Sequence, residues 1–208
     1  MIKETLLDAI IDIWPMIVIF SVIISSFRIS FLIINKEKFV FYKEIYFLFF
    51  IIYILLLFHI VTFQDNNFGT HNFTLFNEIT RYDLFSKLFF KNIIGNVLLF
   101  LPFGLFLGSF LKKKVFFAIF VLSIISSLSI EIVQYSIGRT FDIDDIFLNV
   151  IGGILGYYLF RILNKIKSKL PKFLRHDITL NFFILLILII IVLYFTNWYI
   201  YILDWVKT

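Results

Sequence analysis

The amino-acid sequence predicts an all-α fold, a polytopic transmembrane bundle of about six helices, and two observations carry that prediction. Of its 208 residues, 61% are hydrophobic and only 16% charged, where soluble domains run at roughly 45–50% apolar and about 25% charged. Water could not keep such a chain dispersed, and a mean hydropathy of +0.99 points to a bilayer as its solvent. The apolar residues are also gathered into windows of the right length. A hydrocarbon core of about 30 Å needs roughly 20 helical residues to cross, and six windows of that order are bounded by charge clusters.

The windows run approximately from Ala9 to Ile34, Glu44 to Phe63, Phe90 to Leu111, Val115 to Ile137, Ile146 to Leu163 and Ile178 to Tyr199. The first contains Asp12, Pro15 and Arg28, and the Arg28 stem is long enough to carry its charge to the interface. Glu4, Asp8 and Asp12 interrupt the opening apolar run and no small-residue cleavage site follows. It therefore reads as a retained helix and not as a removable signal peptide.

Basic residues set the expected orientation, because Lys and Arg in short loops are held on the cytoplasmic side. One set of alternate loops holds Arg28, Lys36, Lys38, Lys43, Lys112, Lys113, Lys114, Arg161, Lys165, Lys167, Lys169, Lys172 and Arg175. The other holds Lys3, Arg81, Lys87, Lys91, Arg139 and Lys207. This asymmetry puts both termini outside, with the segments Gln64–Phe89 and Gly138–Asp145. A multi-pass protein of the cell membrane is expected, and the +5 net charge reads as topology and attraction to anionic lipid, with no nucleic-acid partner.

No repeat, low-complexity tract or Pro/Gly/Ser-rich linker divides the chain, so one membrane domain over residues 1–208 is expected. The stretch from Gln64 to Phe89 carries Phe68, Phe73, Leu75, Phe76, Ile79, Leu84, Phe85 and Leu88. It is expected to lie on the outer interface as a partly helical re-entrant or amphipathic segment. Cysteine is absent, which excludes disulfides, thiolate metal sites and a cysteine nucleophile.

Ionisable and amide groups inside a span cost a few kcal/mol each, so they face the bundle interior and mark function. Asn92 and Asn96 stand one turn apart in the third window, near its outer end. Glu131 and Gln134 share a face in the last turns of the fourth. The next loop supplies Arg139, Asp142, Asp144 and Asp145, and Asn149 opens the fifth window. Three helices thus deliver candidate ligand-binding residues to one outer layer. Gly104 with Gly108, and Gly152 with Gly156, form G-x-x-x-G pairs that let backbones approach closely. Pro102 frees a backbone carbonyl near Leu98 for a neighbouring side chain to satisfy. The third, fourth and fifth helices are therefore expected to pack as a core.

Plainer roles stand beside these. Asp142, Asp144 and Asp145 precede a helix, where one would cap free amides and the others would favour the positive dipole end. Asn96 and Asn149 would serve equally as interhelical hydrogen-bond partners. Glu131, roughly 9 Å below the interface at 1.5 Å per residue, needs a partner or a proton, and Arg139 is the nearest candidate partner. A site of this mixed charge suits a divalent metal with oxygen ligands or an ammonium group, or, through Arg139, a carboxylate or phosphate. The residues leave metal and cofactor unassigned.

These residues together resemble the VanZ-like family: Asn92-Ile-Ile-Gly-Asn96, Leu-Phe-Leu-Pro102-Phe-Gly104, Glu131-Ile-Val-Gln134, Gly138-Arg139-Thr-Phe-Asp142-Ile-Asp144-Asp145, then Asn149 and Gly152-Gly153. The likeness covers about residues 72–163. It leaves a helix hairpin (9–63) and a C-terminal helix (178–199) around that core. Asn72-Phe73-Thr74-Leu75-Phe76 is similar to the family's N-L-I-P-F element and departs from it at Leu75, where proline is usual. The resemblance implies a bacterial envelope protein of a family named for resistance to the lipoglycopeptide teicoplanin, and it transfers no catalytic residue.

Three functions are weighed on that basis. The first is resistance to a glycopeptide or lipoglycopeptide through an outer-leaflet polar site that engages a lipid-linked cell-wall precursor, a lipid headgroup or the drug itself. The second is an integral membrane enzyme acting on a lipid phosphate or glycolipid, with Glu131 or Asp145 as base and Arg139 on the anionic group. No H-E-x-x-H spacing supports it, and His59, His71 and His176 are scattered. The third, an ion-coupled transporter, fits less well, because the polar groups gather at one leaflet and do not run through the bundle centre.

Overall fold

The computed structural model describes residues 2–63, 71–83, 86–111 and 116–195. Phe68, Leu84, Phe85, the cluster Lys112–Lys114 and the last four residues of the sixth window fall outside the described residues. Helices α1 (Ile2–Ile34), α2 (Phe41–Phe63), α5 (Gly95–Leu111), α6 (Phe116–Ser136), α7 (Ile143–Lys169) and α9 (Asp177–Phe195) correspond to the six windows. Short helices α3 (Asn77–Arg81), α4 (Lys87–Phe89) and α8 (Lys172–Arg175) connect them, and a π-helical turn, Phe90–Ile94, joins α4 to α5. The described residues contain no strand, only a parallel bridge between Asn72 and Asp142.

Five helices are long and apolar enough to cross a bilayer: Asp8–Ile34, Phe41–Phe63, Lys87–Leu111, Phe116–Ser136 and Ile143–Lys169. The sixth, α9, is apolar as well. The chain is a multi-pass membrane protein. The third span begins at Lys87, before its apolar window, because α4, capped by the Ser86 side chain, runs on into the π turn. The fifth extends at both ends. Asp142 accepts a hydrogen bond from the Asp144 N–H at 2.8 Å and so caps α7 before the apolar run starts. Lys165, Lys167 and Lys169 then carry its opposite end beyond the apolar residues, where cations suit the helix dipole.

Glycine sets the centre of the bundle. A Cβ added at Gly104 would lie 1.8 Å from the Gly153 carbonyl oxygen, one at Gly156 would lie 1.9 Å from that of Leu101, and one at Gly152 would lie 2.3 Å from that of Val97. Only residues without side chains let α5 and α7 approach so closely. Helix α6 lies against the same seam, its Ser123 hydroxyl filling the space where a Cβ at Gly153 would stand. Around this core α2 packs aromatic rings onto α5, with Tyr46, Phe50 and Tyr53 meeting Phe106 at centroid distances of 4.8, 5.3 and 5.9 Å.

Tyr53 also donates its hydroxyl proton to the Leu99 carbonyl at 2.7 Å. Pro102 disrupts the ladder in that turn, and the partner comes from α2, one residue along from the expected Leu98. Arg28 does not reach toward water alone. It makes two hydrogen bonds to Glu44, at 2.9 and 3.3 Å, which tie α1 to the start of α2.

A candidate polar site at the motif end

The end of the bundle formed by the close of α2 and α6 and the start of α5 and α7 holds the predicted polar residues, and the segment from His71 to Asn77 lies across it. The Asn72 N–H donates to the Phe141 carbonyl at 2.8 Å, and the Ile143 N–H returns a bond to the Asn72 carbonyl at 3.1 Å. The Asn72 side chain then donates to Asp142 at 2.9 Å and lies 3.5 Å from Asp144 Oδ2. Its own carbonyl accepts from the Thr74 N–H and hydroxyl, each at 3.1 Å. That Asx turn bends the chain.

Phe76 follows at φ 70°, ψ 8°, values of the third position of a type II turn. A phenylalanine held there costs roughly 1 kcal/mol or more. The compensating contact is a charge-assisted hydrogen bond of 2.6 Å from the Phe76 N–H to Asp144 Oδ1. The second position of such a turn favours proline, and Leu75 occupies it. The bend associated with the family's proline therefore forms here without one.

Asp144 is fully buried, Glu131 is 1% exposed and Asn149 is 5% exposed, so these groups belong to the interior and not to a solvated rim. Glu131 does not pair with Arg139 as its sequence position suggested. Its Oε2 accepts the Asp142 N–H at 2.9 Å, while Arg139 Nη1 donates to the Val61 carbonyl at 2.5 Å. Gln134 Nε2 donates to the same carbonyl at 2.8 Å. The carbonyls of the last turn of α2 have no intrahelical donors, so an arginine and an amide from α6 and its following loop satisfy one of them.

The two asparagines of the third span part company. Asn96 donates to Asp145 across the α5–α7 seam, whereas Asn92 donates to the Tyr82 hydroxyl at 2.7 Å. The π turn between them changes the helical phase, so residues one turn apart in sequence serve different neighbours. Asn149 sits deeper, donating to Ser127 Oγ at 2.9 Å. The structure thus links Glu131, Asp142 and Asp144 with Asn72, pairs Asp145 with Asn96 across the α5–α7 seam, holds Gln134 and Arg139 together on α2, and sets Asn92 and Asn149 to either side.

Sequence reasoning missed three participants. Asn72 is the hub of the segment, and its signal was the motif element it opens. The Val61 carbonyl and the Phe76 N–H are backbone groups, which leave no mark in residue identity. No group of three His, Asp or Glu suited to a metal occurs among the described residues. A shallow hollow lined by Lys172, Phe173, His176, Ile178 and Thr179 lies at the α8–α9 turn and shares no residue with this cluster.

Beside the polar groups stands an aromatic fringe. Phe73 stacks on Phe141 at 5.4 Å, Phe76 meets Phe147 edge-on at 5.4 Å, and His71 contacts Tyr135 at 5.1 Å. Phe73, Leu75, Phe76 and Tyr135 remain exposed. Rings with an apolar body and a polar neighbour suit the membrane–water boundary.

Comparison with known proteins gives two findings. The family model for VanZ/LLP1 matches residues 44–164, which takes in α2 through α7. A curated relative, Protein VanZ of Enterococcus faecium, is 34% identical over 110 residues, covering 52% of this chain and 65% of the relative. The matched region is thus just under two thirds of that relative's length. No solved structure matches.

Proposed function

This chain belongs to the VanZ/LLP1 family, and on that premise we propose that it acts in the bacterial envelope to confer low-level resistance to lipoglycopeptides such as teicoplanin. The polar cluster engages a lipid-linked ligand or headgroup in the outer leaflet. The motif end faces outward, and Asn92, Asn96, Glu131, Gln134, Arg139, Asp142, Asp144, Asp145 and Asn149 form or support the binding layer.

The observation that carries this reading is the convergence of carboxylates and amides from α5, α6, α7 and the Asn72–Phe76 segment beside exposed aromatic rings. Membrane interiors exclude such groups unless function retains them, and a scaffold alone would be served by the glycine seam. An amphiphile with a polar head and an acyl tail matches a polar cluster flanked by Phe73, Phe76 and Tyr135. Teicoplanin and lipid-linked cell-wall precursors share that chemistry, and lipids surround the protein in either case.

The orientation is supported by the basic residues Arg161, Lys165, Lys167 and Lys169 at the opposite end of α7. Susceptibility of cells with and without the chain tests the function. A rise in the inhibitory concentration of teicoplanin with little change for vancomycin, which lacks the acyl tail, is the expected result. Unchanged susceptibility to both drugs would remove the proposal.

A further inference from the structure

Beneath Glu131 and Asn149 of the binding layer, the seam between α6 and α7 carries further buried polar groups, Ser123 and Ser127. On α6, Ser123, Ser127 and Glu131 are spaced by four residues and share one buried stripe, exposed by 0%, 0% and 1%. At about 1.5 Å per residue, Ser123 lies roughly 20 Å from the end of α6 at Ser136, past the middle of a hydrocarbon core of about 30 Å. The buried polar groups therefore descend beyond one leaflet, deeper than the sequence pattern indicated.

Two atoms in this seam have no hydrogen-bond partner, Ser123 Oγ and Asn149 Oδ1. The contrast with other serines is informative. Ser129 and Ser136, exposed on the same helix, return their hydroxyls to the carbonyls four residues back, at 2.8 and 2.7 Å. That option is open to any helical serine, yet Ser123 does not take it and Ser127 accepts from Asn149. An unpaired polar atom in a dry interior costs about 1–3 kcal/mol, and two of them in adjacent turns of the same seam indicate a missing partner.

We propose that the α6–α7 seam holds a short file of water molecules, reaching from the Glu131 level to a water bridging Ser123 Oγ and Asn149. Water fits better than a metal cation because it both donates and accepts. It satisfies a hydroxyl together with an amide in either orientation of that amide, whereas a cation suits only the oxygen. Gly153 makes room for the Ser123 hydroxyl itself, since a Cβ there would stand 2.3 Å from Ser123 Oγ. Ile119, one turn further along the stripe and fully buried, closes the file. The seam is a hydrated dead end beneath the polar cluster, not a path across the membrane.

Water-edited solid-state NMR on the full chain in lipid bilayers tests this without a variant. Magnetisation from water is expected to reach the Ser123 and Asn149 side chains several times faster than Ile119. Transfer to Ser123 and Asn149 as slow as to Ile119 overturns the proposal. The sign of a substitution gives an independent check. Ser123→Ala lowers the midpoint of thermal unfolding if it removes a water's partner, and raises it or leaves it unchanged if the hydroxyl was dry, which would contradict the proposal. A midpoint that rises with sodium or potassium at constant ionic strength, and loses that dependence in Ser123→Ala, would identify a cation and overturn the water reading. Because the measurements concern the seam alone, they stand or fall separately from drug resistance.

Discussion

Helices α1 and α7 solve the same problem, crossing a bilayer, by opposite means. In the α1 span only 6% of the most apolar window is buried within the protein, against 39% for α7. Lipid is the main neighbour of α1, which exposes Ile11, Trp14, Val18, Ile19, Val22 and Ile33 and is tied to α2 through Arg28 and Glu44 at one end. Helix α7 exchanges large side chains for Gly152, Gly153 and Gly156 and brings its backbone against α5, with Asp144 and Asn149 buried alongside. The difference shows that bulk apolarity suffices to insert a helix, whereas small residues and paired polar groups are needed to give it a particular place. Function is expected where that second kind of information is concentrated.

The comparison breaks most easily at the glycine seam. Gly104→Leu forces a side chain into the Gly153 backbone and is expected to reach or exceed the upper end of the roughly 1–3 kcal/mol cost of overpacking. Ile19→Ala, on the lipid face of α1, stays within about 0.5 kcal/mol. Fluorescence-detected size-exclusion after heating measures both. Equal losses would mean that α5 and α7 are not in close contact.

A smaller effect is expected at the buried carboxylate. Asp144→Ala strands the Phe76 N–H and an Asn72 donor, at about 1–3 kcal/mol, and hydrogen exchange at the Phe76 amide should accelerate with it. An unchanged exchange rate would detach the Asn72–Phe76 segment from α7. The smallest change is a gain. Leu75→Pro pre-forms the second position of the turn and is expected to stabilise by about 0.4–1 kcal/mol, read as a higher unfolding midpoint. A destabilised protein would show that Leu75 contributes through its side chain or its N–H.

Much of the architecture was legible in the sequence because hydropathy and glycine spacing report directly on spanning and close packing. The windows for α2, α5 and α6 end within a few residues of the helices, and the two G-x-x-x-G pairs fall in the α5–α7 seam. The edges that moved did so for chemical reasons: Asp142 caps α7 ahead of its apolar run, and Ser86 caps α4, which starts the third span at Lys87. The site was legible as a set of residues but not as a set of bonds. Arg139 was matched to Glu131 by charge, yet it satisfies a backbone carbonyl of α2, because helix ends leave acceptors that residue types do not reveal. Asn92 and Asn96 were placed together by a 3.6-residue period that the π turn interrupts. Asn149 was legible as an interhelical partner, but the unpaired Ser123 was not, since a serine reads alike whether it faces lipid, its own backbone or a neighbouring helix.

The central claim is that the joined polar residues at the motif end, and not the bundle alone, carry the function. Its most direct test is the inhibitory concentration of teicoplanin for cells expressing Asn72→Ala, Glu131→Gln, Arg139→Ala or Asp145→Asn, each at membrane levels matched to the unaltered chain, with Ser129→Ala as control. The account predicts that the four variants fall to the level of cells without the protein while Ser129→Ala keeps full resistance. Resistance retained by all four at matched levels would contradict it.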